Sequence, residues 1–475
     1  MDKTDISVKR QFLVLVHLDL KGAPPKVSYL AEIFPLFAQL GASGILIEYE
    51  DMFPYGGKLE VLKSKYAYSP SEIKSILHLA KSNGLEVIPL VQTFGHMEFV
   101  LKHGEFSHLR EVENFPNALN PHKVGSLELV HLMIDQVMAL HEDVKWFHIG
   151  CDEVFFLGEG EESKMCLKQG QNHVDRLFLS HVKAVAQHIV TAYQGVKPII
   201  WDDMLRDSPE DHIKESDVAL LVEPMIWDYS PEFDINGKVS LAEKYQKCGF
   251  NKIWFASAFK GATGANQQLT HVRHHLENQF LWLQVAKAFP GDLVQGITLT
   301  GWQRYDHYSV LCELLPVGMP CLAVCLQAVA HGQFSEKEDE TVKKCLGLSS
   351  LDTNSVVSDD FGTFPGNDIL RLVTEAAFQL AASTESLLKG NRYVTGWFSP
   401  YHRKHKFVNP MMVQYFENEC RSLLSKWEQH AEQLRSAMEN IYYPNTMEEW
   451  FDEYFNPFLT KLQQLVFDLD HVSNT

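Results

Sequence analysis

Residues 145–153 read Lys145-Trp-Phe-His-Ile-Gly-Cys-Asp-Glu153. An apolar stretch from Lys145 to Gly150 has the look of a short buried strand, and it delivers two adjacent carboxylates, Asp152 and Glu153, at its tip. The same kind of run recurs along the first two-thirds of the chain, at Phe12–Leu20, Gly44–Glu50, Glu86–Thr93, Lys197–Trp201, Ala219–Val222, Asn251–Ala256 and Leu293–Leu299. Between the runs the apolar period changes to that of a helix. Val27, Leu30, Ile33, Phe34, Phe37 and Leu40 form one such face, Leu127, Leu129, Val130, Leu132, Met133 and Val137 another, and a third spans Asp175 to Tyr193. Near-continuous apolar strands alternating with helices indicate a parallel sheet covered on both faces. Eight such units predict a closed (β/α)8 TIM barrel, an α/β fold, rather than an open doubly wound sheet. No Gly-x-Gly-x-x-Gly follows the first strand to favour dinucleotide binding.

The barrel is expected over residues 1–333. Ser335–Lys344 is charged and Gly347–Asp368 is rich in Ser, Asp, Gly and Thr, so 334–368 is expected to be a linker or long loop. Residues 369–475 then form an α-helical C-terminal region, with amphipathic stretches at Ile369–Leu388, Pro410–Ile441 and Met447–Val472. The apolar stripe of Met412, Tyr415, Phe416, Cys420, Leu423, Leu424 and Trp427 is read as packing.

Composition narrows the function. With 42 basic against 61 acidic residues the net charge is −19, and no Lys/Arg-rich run interrupts it. A nucleic-acid partner and an anionic membrane surface are therefore not expected. No apolar run approaches the ~20 residues that span a bilayer. The eight cysteines show no CxxC pair or framework spacing, the chain has no Asn-x-Ser/Thr sequon, and the charged Met-Asp-Lys-Thr-Asp start does not resemble a signal peptide. Together these predict a reducing, non-secretory compartment, the cytoplasm or the nucleus.

In a barrel of this kind the site lies at the C-terminal strand ends. The first run ends in His17-Leu-Asp19-Leu-Lys21, the second in Glu48-Tyr-Glu50, and the third in Gly95-His96-Met-Glu98. The fourth carries His148 and then Asp152 and Glu153, and the fifth ends in Trp201-Asp202-Asp203. The sixth gives Glu223 followed by Trp227-Asp-Tyr229, the seventh carries Trp254 before Phe259-Lys260, and the eighth gives Trp302-Gln-Arg304-Tyr305-Asp306. Four of the nine Trp thus fall at or near strand ends. Indole faces stack on sugars while Asp, Glu and Arg bind hydroxyls, so the pattern suits a sugar-binding pocket. Two carboxylates side by side cannot both ionise cheaply. One pKa is pushed up, and a carboxylic acid survives near neutral pH to protonate a leaving oxygen. Three other readings stay open at this point. Glu153 and Glu223 could act as the acid and nucleophile of a two-carboxylate retaining glycosidase. His17, Asp19, His96, His148 and Asp152 could serve a metal-dependent hydrolase, although strands five and six end in Trp and carboxylates rather than further histidines. A barrel that binds sugar without catalysis is the third.

His148-x-Gly-x-Asp152-Glu153, Gly95-His96, Trp201-Asp-Asp and Trp302 resemble glycoside hydrolase family 20, the β-N-acetylhexosaminidases. The resemblance covers residues 12–306. It implies catalysis by Glu153 and Asp152 without metal or cofactor, and a substrate-assisted retaining mechanism through an oxazolinium ion. Glu153 would be the acid/base and Asp152 would hold the acetamido group. Trp201, Trp227, Trp254, Trp302, His96, His148, Asp202, Arg304, Tyr229, Tyr305, Asp19, Lys21 and Glu50 would bind the sugar. Two positions depart from the family pattern. Asp19-Leu-Lys21 stands where relatives carry an Arg. Phe259-Lys260 replaces the usual acetamido-binding Tyr, with Tyr229 or Tyr305 as candidates to replace it. The expected partner is a glycoconjugate bearing terminal GalNAc or GlcNAc, and a homodimer is left open.

Overall fold

The structure is a computed structural model that describes residues 12–169, 173–289, 291–354 and 360–473. The charged N-terminal start, and residues 355–359 of the Ser/Asp-rich stretch, lie outside the described residues. Among the described residues ten strands occur in chain order: β1 (Leu13–Asp19), β2 (Gly44–Glu48), β3 (Glu86–Leu90), β4 (Arg110–Val112), β5 (Phe115–Leu119), β6 (Trp146–His148), β7 (Lys197–Trp201), β8 (Glu223–Trp227), β9 (Ile253–Lys260) and β10 (Val294–Gly301). Eight of them close a parallel barrel in the order β1-β10-β9-β8-β7-β6-β3-β2, so β1 pairs with both the second and the last barrel strand. β4 and β5 form a separate antiparallel hairpin that the sequence pattern did not suggest.

The barrel strands are apolar on both faces because both faces are covered. Leu15, Leu46, Ile88, Ile199, Met225 and Trp254 fill the interior. Outward residues such as Val14, Val16, Ile45 and Phe255 pack under helices. The helical periods appear as expected: Val27–Leu40 buries Leu30, Ile33, Phe34, Phe37 and Leu40, and Val174–Ala192 matches the third predicted stretch. Pro70–Ser82 starts on a reciprocal cap in which Ser69 and Glu72 satisfy each other's backbone N–H.

The sixth strand lies further along than expected. Val218–Leu220 makes a 3-10 turn, and the strand is Glu223–Trp227. Glu223 is therefore at its N-terminal end, at the bottom of the barrel, where the indole N–H groups of Trp146 and Trp254 donate to its Oε2 at 3.2 and 2.7 Å. The seventh strand runs on to Lys260, which leaves Trp254 near its start and deep in the interior. Gly296 makes room for that ring, since a Cβ there would lie 2.4 Å from the indole.

The charged stretch after the barrel is not a linker. Ser335 and Glu338 form a second reciprocal cap, and Glu336–Leu346 is a helix that buries Val342 and Leu346. The C-terminal region is helical, ending in Glu417–Glu439, Pro444–Tyr454 and Asn456–Ser473. Most of its stripe is packing, with Phe416, Cys420, Leu423 and Trp427 buried and the Trp427 indole donating to Thr384 Oγ1 at 2.8 Å, whereas Tyr415 is exposed. These helices share one apolar core with the outer face of the barrel. They also grip its first and last junctions. Thr446 donates to the Gly22 carbonyl at 2.7 Å, Tyr454 to that of Leu311 at 2.7 Å, and Tyr442 accepts the Leu315 N–H at 3.1 Å. No helix among the described residues is long and apolar enough to cross a membrane.

Candidate active site

A cavity of about 570 Å³ opens at the C-terminal ends of the barrel strands, a size that suits a small ligand. β6 stops at His148, and the chain then turns sharply. Gly150, Cys151 and Glu153 have φ of 66°, 71° and 45°, and His96 opposite has 51°. Left-handed backbone at three non-glycine residues is strained, and its concentration here marks a functional turn. Gly95 lets the two loops touch, because a Cβ there would sit 1.9 Å from the Asp152 carbonyl oxygen.

The turn brings Asp152 and Glu153 to one imidazole. His96 Nε2 lies 3.1 Å from Glu153 Oε2 and 3.4 Å from Asp152 Oδ2. The carboxylates hold the His96 pKa up at about 10 against its burial. Burial raises Asp152 to about 7 against the pull of His96, with Asp203, Glu48 and Glu153 adding repulsion. The hydrogen bond with His96 holds Glu153 below its ordinary value. One carboxyl of the pair is raised, chiefly by its burial and only slightly by its neighbour, and it is Asp152 rather than Glu153. Asp152 Oδ1 is buried and has no hydrogen-bond partner among the described residues.

Asp203 supports the turn from just beyond the end of β7. Its Oδ2 accepts the Glu153 backbone N–H at 2.8 Å and its Oδ1 accepts the Trp227 indole N–H at 3.2 Å. Trp201, Trp227, Trp302 and Tyr229 line the cavity beside the pair. Tyr229 stacks on Trp227 with centroids 5.3 Å apart, and its hydroxyl interacts with Thr300 and Trp302. Trp201 and Trp302 are 5.9 Å apart.

The first strand's Lys21 reaches the cavity within a buried ionic cluster. Its Nζ is 3.1 Å from Asp19, 3.5 Å from Glu48 and 3.7 Å from Glu50, and these carboxylates keep it charged although burial opposes that. The ammonium also sits 5.2 Å from the Trp302 ring centroid. Lys260, the last residue of β9, is buried and donates to the Trp302 carbonyl at 2.7 Å. Arg304 lines the mouth, its Nη2 2.6 Å from Glu449 Oε2 of the C-terminal region.

Of the residues expected to bind substrate, Lys21, His96, Trp201, Trp227, Tyr229, Trp302, Arg304 and Tyr305 line the cavity together with the acidic pair. Five others stand behind it. His148 is buried 4.5 Å from the Trp201 ring. Asp202 is taken by the bidentate guanidinium of Arg206 and by Tyr245. Asp19 accepts the Gln303 N–H at 2.8 Å, Glu50 accepts or shares a proton with His307 at 2.5 Å, and Trp254 is at the far end of the barrel. Glu223 is at that far end too, so it is not opposite Glu153 as a nucleophile must be. Among the described residues no group of three or more His, Cys, Asp or Glu is arranged to hold a metal ion.

The reading from strand ends gave no role to Glu48, Gln92, Glu98 or the aromatic residues of the rim. Glu98, raised by burial to about 7, was quoted at its strand end and carried the signal of a charged residue in an apolar run. The rim residues sit on the hairpin and on a loop, where no period points to them.

Residues 38–238 match the catalytic domain of glycosyl hydrolase family 20. The chain belongs to glycoside hydrolase family 20, the β-N-acetylhexosaminidases. It is 58% identical to human hexosaminidase D over 97% of this chain and 94% of that protein. It is 64% identical to the Bos taurus hexosaminidase D over 72% of this chain and 99% of the other. Among solved structures, a β-N-acetylhexosaminidase from Bacteroides fragilis shares the fold with a TM-score of 0.52 at 15% identity, covering 70% of this chain and 69% of that one.

Proposed function

We propose that this enzyme removes terminal β-linked GalNAc or GlcNAc from glycoconjugates, with the substrate's own acetamido group as nucleophile. The observation that carries the reading is the buried, unpartnered Asp152 Oδ1 beside Glu153 in a Trp-lined cavity. The acetamido N–H would donate to Asp152, which selects its ionised form. The single proton of the pair is then left to Glu153. The acetamido carbonyl oxygen attacks C1 as the C1–O bond to the aglycone breaks, and the leaving oxygen takes the Glu153 proton. Asp152 stabilises the oxazolinium charge in a site that burial has removed from water. Water then attacks C1, giving its proton to the Glu153 carboxylate and reopening the ring with retained configuration.

Hydrolysis of matched aryl β-glycosides with and without the 2-acetamido group tests this. Well-placed intramolecular groups reach effective molarities of roughly 10⁵ M and above. The N-acetyl glycosides should be cleaved at least thousands of times faster, and a thiazoline mimic of the oxazoline should compete with them. Comparable rates on the 2-hydroxy and 2-acetamido sugars would overturn the mechanism.

A further inference from the structure

Three phenyl rings stand at the mouth of the cavity with large exposed faces. Phe155 and Phe156 are each 54% exposed and Phe115 is 44% exposed. Such rings in contact with one another on a protein surface are unusual unless something covers them. Phe115 and Phe156 pack against each other with centroids 4.9 Å apart, although one comes from β5 and the other from the loop after β6. Phe156 holds this place with a left-handed φ of 63°, a strain that no burial of its ring repays.

The rings are carried on a rigid unit. Glu111 of β4 is buried and accepts three hydrogen bonds from the loop that bears Phe155 and Phe156 and from the helix Glu161–Lys168 that follows it. These come from the N–H of Gly158 at 2.8 Å, the N–H of Gly160 at 3.0 Å and the hydroxyl of Ser163 at 3.0 Å. The hairpin and the loop are bolted together beneath their apolar top, so the platform exists before any ligand arrives. Phe155 and Phe156 follow Glu153 by two and three residues, and the Phe155 N–H donates to the Glu153 carbonyl at 2.7 Å.

Position relative to Glu153 decides what the platform meets. A general acid must lie within hydrogen-bond reach of the leaving oxygen. With the sugar's acetamido group on Asp152 and its ring between the tryptophans, the group beyond that oxygen extends past Glu153 toward the solvent side. From these contacts the geometry points to a leaving-group subsite, formed by Phe115, Phe155 and Phe156, that takes a hydrocarbon aglycone, alkyl or aryl, rather than a second hydroxyl-bearing sugar. It rests on Glu153 being the acid. Phenyl faces offer area and no hydrogen bonds, so they favour apolar groups without reading hydroxyls.

The test compares leaving groups of matched acidity on the same N-acetylhexosamine: octyl against methyl, 2-naphthyl against phenyl, and a disaccharide, with octyl kept below its micelle-forming concentration. In the wild-type enzyme kcat/KM should be roughly tenfold higher for the larger member of each pair, the effect of burying about two methylenes. In Phe115→Ala/Phe156→Ala both ratios should collapse toward one. A gain in the octyl pair alone, or in the naphthyl pair alone, would assign the platform to alkyl or aryl aglycones respectively. Wild-type ratios near one, ratios that survive the double substitution, or a disaccharide that outpaces octyl and loses as much in the variant would each overturn the proposal. Failure of Glu153 as the acid would show separately, in the Glu153→Gln enzyme, whatever the ratios are.

Discussion

Asp203 holds Glu153 by its backbone rather than by its side chain, the carboxylate accepting the Glu153 N–H at 2.8 Å while its other oxygen takes the Trp227 indole. A residue in a left-handed turn is thereby fixed from the segment that follows the neighbouring strand. Asp203→Ala should lower kcat by roughly 10- to 100-fold, the effect of leaving one or two buried donors unpaired. KM should change less. Asp203→Asn keeps an acceptor for the N–H and should recover much of the rate. Equal losses in both variants, or a loss confined to KM, would take away this positioning role.

Glu153→Gln should reduce turnover of substrates with poor leaving groups by roughly 10² to 10⁴. Activated aryl glycosides, which need little protonation, should lose less in their first step. Asp152→Asn keeps the shape and removes the charge that faces the oxazolinium, so kcat should fall by about 10²-fold or more with the fold retained. Steady-state kinetics on a disaccharide and on an aryl glycoside separate the two residues. Wild-type-like turnover of the disaccharide by either variant removes that residue from its role.

The pair predicts a pH profile. Asp152 is raised to about 7 and Glu153 is lowered, so one proton is shared between those two titrations. Above about 7 the last proton leaves and there is no acid. Below the Glu153 titration both are protonated and there is no anion. Accordingly kcat/KM should be highest on the acid side of neutrality and fall by about tenfold per unit at the alkaline limit. The charge on His96 depresses both carboxyls. His96→Gln should therefore move the alkaline limb to higher pH, and a limb that stays in place would mean that His96 does not set it.

Arg304 is aimed at the cavity mouth by Glu449. Glu449→Ala frees a guanidinium that is otherwise nearly buried, and KM for N-acetylhexosaminides should rise by about 5- to 20-fold, as expected for a charge-assisted contact. Arg304→Ala should do the same, and the double substitution should add little to either. Additive losses in that cycle would show that Glu449 acts elsewhere.

The barrel was legible in the sequence because buried parallel strands leave near-continuous apolar runs, and seven of the eight lie where those runs stand. The sixth strand was misplaced for a physical reason. Ala219–Val222 is the apolar segment, whereas the strand begins at Glu223-Pro, a charge and a residue without an N–H. What allows Glu223 inside the barrel is a pair of indole donors from β6 and β9, distant in sequence. The acidic pair was legible because it stands at a strand end. Which member keeps the proton was not, since that depends on an imidazole brought over from the preceding barrel strand's loop. Ser335-x-x-Glu338 carried a cap signal that outweighed the polar composition around it. The hairpin that carries Phe115 has strands of only three and five residues, too short for a period to emerge.

The seam where the barrel closes, β1 against β10, lies beside the loops that Tyr442, Thr446 and Tyr454 grip. During synthesis those three residues leave the ribosome after all eight barrel strands. A nascent chain that has just completed its last strand thus has Gly22, Leu311 and Leu315 without their final partners and the outer apolar surface of the barrel still uncovered. The C-terminal helices act as a latch that reaches the barrel seam only after the last strand has been made.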